Sequence, residues 1–195
     1  MKEILIKDII RECNARLIIG DENLKIENFS KDTREINEND CYIGIKGETF
    51  DGNLFYEEAF KKGASACILE KESVKDIDFR NYNNKTIIIV DNSIKFLQEL
   101  AAYKRSLYDI PVIAVTGSVG KTSTKEIISS VLSTKYNVLK TEGNYNNHIG
   151  LPLTILKLKE HNAMVLEMGM NHLNEINLLS KIAKPTIAVI TNIGT

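Results

Sequence analysis

The chain of 195 residues is 43% hydrophobic and 26% charged, with 26 acidic against 25 basic side chains and a net charge of −1. This balance suits one or two ordinary globular domains and excludes the basic footprint of a nucleic-acid binder, so an anionic ligand has to be held by a local site. Charges break the first apolar run too early for a secretory signal, no apolar stretch is long enough to cross a bilayer, and three cysteines without C-x-x-C spacing read as reduced thiols, which predicts a cytoplasmic protein without membrane insertion.

In chain order, Ile4–Cys13 reads as a short helix, Ala15–Ile19 as a strand and Gly20–Asn23 as a turn. Cys41–Lys46 is strand-like and ends at Gly47. Over Leu54–Lys62 the apolar residues Leu54, Phe55, Ala59 and Phe60 share one face, with Glu57, Glu58, Lys61 and Lys62 on the other. That spacing predicts a helix, and Gly63 stops it. Strands follow at Ala66–Leu69 and Thr86–Val90. Asn92 is placed to cap a helix whose Ile94, Leu97, Leu100, Ala101 and Leu107 form one buried stripe. After Pro111 strands and helices alternate. The strands are Val112–Val115, Asn137–Leu139, Ala163–Leu166 and Thr186–Ile190, and the helices lie near Thr122–Ser133 and Glu175–Ile182. Alternation of this kind indicates a parallel α/β sheet covered on both faces, with ligands at the carboxyl ends of its strands. We read 1–91 as one small α/β unit and 92–195 as a second. The last predicted strand runs almost to the end of the chain, so we expect the second unit to be incomplete.

The most informative segment joins the strand at Val112–Val115 to the helix that follows it: Thr116-Gly117-Ser118-Val119-Gly120-Lys121-Thr122-Ser123. Glycines let consecutive backbone N–H groups turn toward phosphate oxygens, and the helix start adds its dipole and its own free N–H groups. Lys121 can bridge β- and γ-phosphates, and the Thr122 hydroxyl can ligate Mg²⁺. ATP and Mg²⁺ are therefore the expected ligands of a phosphate loop (P-loop) here. The longer Walker spacing would need glycine where Val115 stands, and this shorter variant argues against a motor or GTPase.

That variant resembles the Mur ligases and their folylpolyglutamate synthase relatives. Three further segments are similar to the family member that adds D-alanyl-D-alanine. Thr141–Thr154 resembles T-x-G-N-x-N-N-x-I-G-x-P-x-T, Val165–His172 resembles E-[LM]-G-x-x-H, and Ser30–Arg34 resembles S/T-x-D-[ST]-R. Cys41–Gly52 looks like a fourth, F-[IV]-A-L-K-G-x-x-F-D-[GA]. Two positions depart from the pattern: Asn53 stands where histidine is usual, and Asn174 where glycine is common.

The resemblance implies an N-terminal domain that binds a UDP-linked substrate, over 1–91, and a central ATP-binding domain, incomplete over 92–195. Gly117, Ser118, Val119, Gly120, Lys121, Thr122 and Ser123 would contact ATP. Lys121, Glu167 and His172 would be catalytic, and Thr122 with Glu167 would hold Mg²⁺. Ser30, Thr33 and Arg34 would meet the uridine diphosphate, while Lys46 and Gly47 stay open between a turn and a contact. Asn144, Asn146 and Asn147 read by themselves as turn formers, and the resemblance implies that some of them donate hydrogen bonds to the substrate near the reacting carboxylate. His148 and His161 read as ordinary surface histidines.

The implied reaction joins UDP-MurNAc-tripeptide and D-Ala-D-Ala at the expense of ATP, by a monomeric enzyme of peptidoglycan precursor synthesis. Family members continue past this point with a further histidine, a carbamylated lysine and a C-terminal domain, so this chain alone is expected to bind nucleotide weakly and not to ligate. A different Mur-type or folylpolyglutamate-type ligase, or a non-catalytic nucleotide-binding module, are the competing readings.

Overall fold

Short apolar runs such as Thr86–Val90 and Val112–Thr116 set strands of the two larger sheets. The computed structural model describes residue 2, residues 4–47 and residues 49–194, which pack as two units divided between residues 100 and 101.

In the first unit, β1 (Ile4–Leu5) leads into α1 (Ile6–Glu12) and then β2 (Arg16–Ile19), β3 (Lys25–Ile26), β4 (Phe29–Ser30) and β5 (Cys41–Ile43). The predicted first helix therefore starts two residues late, because Ile4 and Leu5 pair with Ile26 and Lys25 of β3. Next come α2 (Tyr56–Lys61), β6 (Ala66–Glu70), α3 (Lys71–Val74) and β7 (Thr86–Val90). The main sheet runs β2-β7-β6-β5-β4, parallel except for β2, with Ile43, Ile68 and Ile88 level across three strands. Tyr42, Tyr56, Ala59, Phe60, Cys67, Leu69, Phe79 and Ile87 form its core on one side.

The helix expected from Leu54 begins instead at Tyr56, after a tighter 3-10 turn at Gly52–Phe55. The Asp51 carboxylate accepts the Asn53 N–H and fixes that turn. The tighter winding carries Leu54 and Phe55 outward, to 58% and 43% exposure, and leaves Tyr56, Ala59 and Phe60 to the core.

Helix α4 (Ser93–Ser106) spans the division between the units. The Asn92 side chain accepts the Lys95 N–H at 2.8 Å, the expected cap, and Phe96, Leu97, Leu100 and Ala101 make the buried stripe.

The second unit contains β8 (Val112–Thr116), α5 (Lys121–Leu132), β9 (Val138–Lys140), α6 (Gly150–Leu156), β10 (Ala163–Glu167), α7 (Glu175–Ala183) and β11 (Ile187–Ile190). Its four strands are all parallel, in the order β11-β8-β10-β9. Ile113, Val115 and Val165 are central to one core, with Ile128, Leu132, Val138 and Val189 packed on them. Every residue of β10 is buried, whereas Ile187 and Ile190 of the edge strand β11 stand 54% and 62% exposed. Coverage of both faces thus holds at the centre of the sheet and not at that edge. Among the described residues no helix is long and apolar enough to cross a membrane.

Candidate active site

The carboxyl ends of β8 and β10 bring the site together. The two strands are neighbours in the sheet although β9 separates them in sequence, and Glu167 lies level with Val115. The phosphate-type loop leaves β8 at Thr116, whose hydroxyl donates to the Met168 carbonyl at 2.9 Å and ties the two strand ends.

Gly117 and Gly120 adopt φ of +139° and +81°, conformations open to glycine and costly for other residues. A Cβ on Gly117 would collide with the Thr191 hydroxyl and sit 2.9 Å from the Asn192 carbonyl oxygen. That crowding exists because the segment after β11 straps the loop. The Asn192 carbonyl accepts the Ser118 N–H at 3.2 Å and its side-chain oxygen accepts the Val119 N–H at 2.9 Å. The Thr191 hydroxyl donates to the Val119 carbonyl at 2.6 Å, and Ser118 Oγ accepts the Gly194 N–H at 2.8 Å. Two of the loop amides are therefore committed to Asn192. The N–H groups of Lys121, Thr122 and Ser123, in the first turn of α5, have no partner within the helix, whose ladder opens with Thr124 N–H to the Gly120 carbonyl.

Lys121 folds over the loop, its ammonium 2.7 Å from the Gly117 carbonyl oxygen. Thr122 Oγ1 donates to Glu167 Oε2 at 2.9 Å, and Asn146 Nδ2 donates to Glu167 Oε1 at 2.9 Å. The Glu167 side chain, in a residue 2% exposed, thus has one oxygen toward the loop and the other toward the asparagine segment. Its backbone N–H reaches Thr141 Oγ1 at 3.0 Å. A cavity of about 390 Å³ beside the loop is lined by Thr116, Gly117, Ser118, Lys121, Met170 and Ile176, among others.

The three asparagines divide their work. Asn146 reaches Glu167, and its own carbonyl accepts the Gly169 N–H. Asn147 Oδ1 accepts the Ile149 and Gly150 N–H groups at the start of α6, while Asn144 is exposed. His172 is exposed in the loop after β10, its backbone N–H held by Glu175 Oε2 at 3.1 Å. Glu175 also accepts the Asn171 N–H, and these two backbone bonds lower its pKa. Asn174, where glycine is common in the pattern, has φ +71°; asparagine tolerates that left-handed conformation better than most residues.

In the first unit the Arg34 guanidinium is forked onto the Asp32 carboxylate two residues earlier, with contacts of 2.5–3.1 Å. That side-chain bond holds the Asp32 carboxyl well below the usual carboxylate range. Ser30 Oγ and the Asp32 backbone bond each other, and Thr33 Oγ1 donates to Glu58 at 3.0 Å. Lys46 and Asp51 pair through the backbone as an isolated antiparallel β-bridge, and the Gly47 N–H meets the Phe50 carbonyl. Asn53 is fully buried, donating to Asp51 Oδ1 at 2.7 Å and accepting the Glu70 N–H at 2.8 Å. Here asparagine welds the turn to the end of β6.

Sequence reasoning passed over Asn192, Thr141 and Lys125, all of which touch the loop or Glu167. Asn192 and Lys125 fall at no motif position, and Thr141, which opens the asparagine motif, carries no assigned role in it.

Residues 25–105 match the Mur ligase family catalytic domain and residues 115–195 the Mur ligase middle domain. The chain belongs to the Mur ligase family. It is 46% identical over 175 residues to the UDP-N-acetylmuramoyl-tripeptide–D-alanyl-D-alanine ligase of Bacillus subtilis, covering 89% of this chain and 37% of that protein. Among solved structures, MurF from Acinetobacter baumannii superposes with a TM-score of 0.87 at 32% identity, over all of this chain and 42% of that one. MurF ligase from Thermotoga maritima, solved in complex with ADP, gives 0.73 at 38% identity over 86% of this chain and 38% of that one. This chain therefore spans about two fifths of the length of these relatives.

Proposed function

We propose that this chain is the front part of an ATP-dependent carboxylate–amine ligase that joins D-alanyl-D-alanine to UDP-MurNAc-tripeptide. The observation that carries the reading is Glu167, hydrogen-bonded on one oxygen to Thr122 of the phosphate-type loop and on the other to Asn146. The similarity to ligases of that name supports the choice of substrates. In this reading residues 1–91 grip the uridine nucleotide and residues 92–195 grip ATP. Soluble nucleotide substrates place the enzyme in the cytoplasm, and we expect a monomer.

A carboxylate resists attack by an amine because its own charge repels the electron pair. Transfer of the γ-phosphoryl group from ATP to the substrate carboxylate releases ADP and leaves an acyl phosphate. The dipeptide amine then adds to the carbonyl carbon, and the tetrahedral adduct collapses with loss of phosphate. The protein contributes position and charge compensation. Lys121, which rests on the Gly117 carbonyl, would turn to a phosphate oxygen, and the first-turn N–H groups of α5 would meet the same anion. Asn146 orients Glu167, and His172 lies on the loop that follows it.

The residues present fit Mg²⁺. Thr122 and Glu167 offer oxygen donors side by side, and the described residues hold no cluster of three or more His, Cys, Asp or Glu side chains. A cation that keeps water and takes phosphate oxygens needs few protein ligands. When bound, Mg²⁺ offsets phosphate charge.

The test is phosphate release by the full-length protein with UDP-MurNAc-tripeptide, D-Ala-D-Ala and ATP. Lys121→Ala should lower the rate by about 100-fold or more, the scale of losing a donor to developing charge. Retained ligation in that variant would remove the loop from the chemistry. Faster turnover with another amino acid than with the dipeptide would move the assignment to a different Mur-type ligase.

A further inference from the structure

Helix α5 buries the wrong residues for a simple amphipathic helix. Ile127 and Val131 are 65% and 64% exposed, while Lys125 is 1% exposed and Ser129 3%. Lysine is almost never fully buried unless paired. Here the ammonium donates to the Thr141 carbonyl at 2.8 Å and lies 3.0 Å from Glu126 Oε1. It stops 4.0 Å short of Glu167 Oε2, the oxygen that also accepts from Thr122. Lys140 shares the Glu126 carboxylate from β9.

The distances define a parked charge. At 4.0 Å the ammonium compensates a carboxylate that would otherwise be buried with only neutral partners, yet it does not occupy the carboxylate oxygen. Thr141 sits at the centre of the arrangement: its carbonyl takes Lys125, and its hydroxyl takes the Glu167 backbone N–H. The same residue opens the segment that carries Asn144, Asn146 and Asn147.

We propose, resting on the ligase reading above, that Lys125 is a positioning residue. It fixes the Glu167 carboxylate and the base of the asparagine segment relative to the phosphate-loop helix. Thr141 and Glu126 hold its charge back from the oxygen beside Thr122. The metal-dependent part of nucleotide affinity then depends on Lys125. The metal-free part, carried by Lys121 and the loop amides, does not.

The experiment is calorimetric titration of the full-length protein with ADP, with and without Mg²⁺, read as the ratio of the two affinities. Lys125→Met should lower that ratio about tenfold, the scale seen when a group orienting a metal ligand is lost, and leave metal-free ADP binding unchanged. Glu126→Gln should lower it by a smaller factor, since the ammonium is released onto Glu167. The Glu126 side chain is 47% exposed, so this variant reads the proposal if Lys125→Met does not melt cooperatively. An unchanged or raised ratio in a folded variant overturns the assignment. A wild-type protein that binds no ADP, or binds it without a Mg²⁺ effect, sinks the ligase reading and this proposal together. A wild-type Mg²⁺ effect that survives both substitutions sinks only this one.

Discussion

Two positions of the site carry the sharpest consequences of single atoms. Gly117 combines φ +139° with a neighbouring Thr191 hydroxyl where a Cβ would go. Gly117→Ala should therefore distort the strap between the loop and Asn192 and weaken ADP binding by about tenfold or more, checked by calorimetry, at an expected strain of about 1–3 kcal/mol. Glu167→Gln keeps the shape, with the amide oxygen accepting from Asn146 and the amide nitrogen donating to a turned Thr122 hydroxyl, but removes the charge that a divalent cation needs. The thermal stabilisation given by ADP with Mg²⁺ should fall to that given by ADP alone. Equal melting shifts in variant and wild type would show that the carboxylate charge is irrelevant to the metal.

At the scale of an element, the turn between β5 and α2 is held by Asp51. Its oxygens accept the Asn53 N–H, the Asn53 side chain and Ser73 Oγ, at 2.5–2.9 Å. Burial alone would raise the Asp51 pKa, but the bonds from Ser73 and Asn53 outweigh it and lower the value. A lowered folded-state pKa means that the stabilisation is complete above the unfolded value of about 4 and is lost as pH falls through the folded one. Asp51→Ala should cost about 1–3 kcal/mol at neutral pH, measured by urea unfolding, because it leaves buried donors unpaired. The difference between variant and wild type should shrink below pH 4. A difference independent of pH would assign the role to packing rather than to the carboxylate.

For the whole molecule, the reduced-thiol reading makes a direct prediction. Cys13, Cys41 and Cys67 are all unpaired and buried. Desolvation pushes the Cys13 thiol up to about 12, with the charges of Glu99 and Glu12 adding to it, and raises Cys41 and Cys67 as well. Since the thiolate is the reactive form, a thiol reagent at pH 8 should leave the native protein unlabelled and modify all three cysteines in urea. Rapid labelling of the folded chain would contradict the burial described here.

Local chemistry wrote much of this protein into its sequence. Short apolar runs placed strands at Thr86–Val90 and Ala163–Leu166, Asn92 announced the cap of α4, and the Gly-x-x-Gly-Lys-Thr spacing located the loop, because each depends on neighbours within a few residues. What required the tertiary structure was pairing across the chain. Only the strand order sets β10 against β8 and so brings Glu167 to Thr122, 45 residues away. Only the fold reveals that Asn192 engages two of the loop amides and that Lys125 turns inward while Ile127 faces out. Periodicity registers which side chains share a helix face; which face is buried, and against which charge, is fixed by the neighbours that packing supplies.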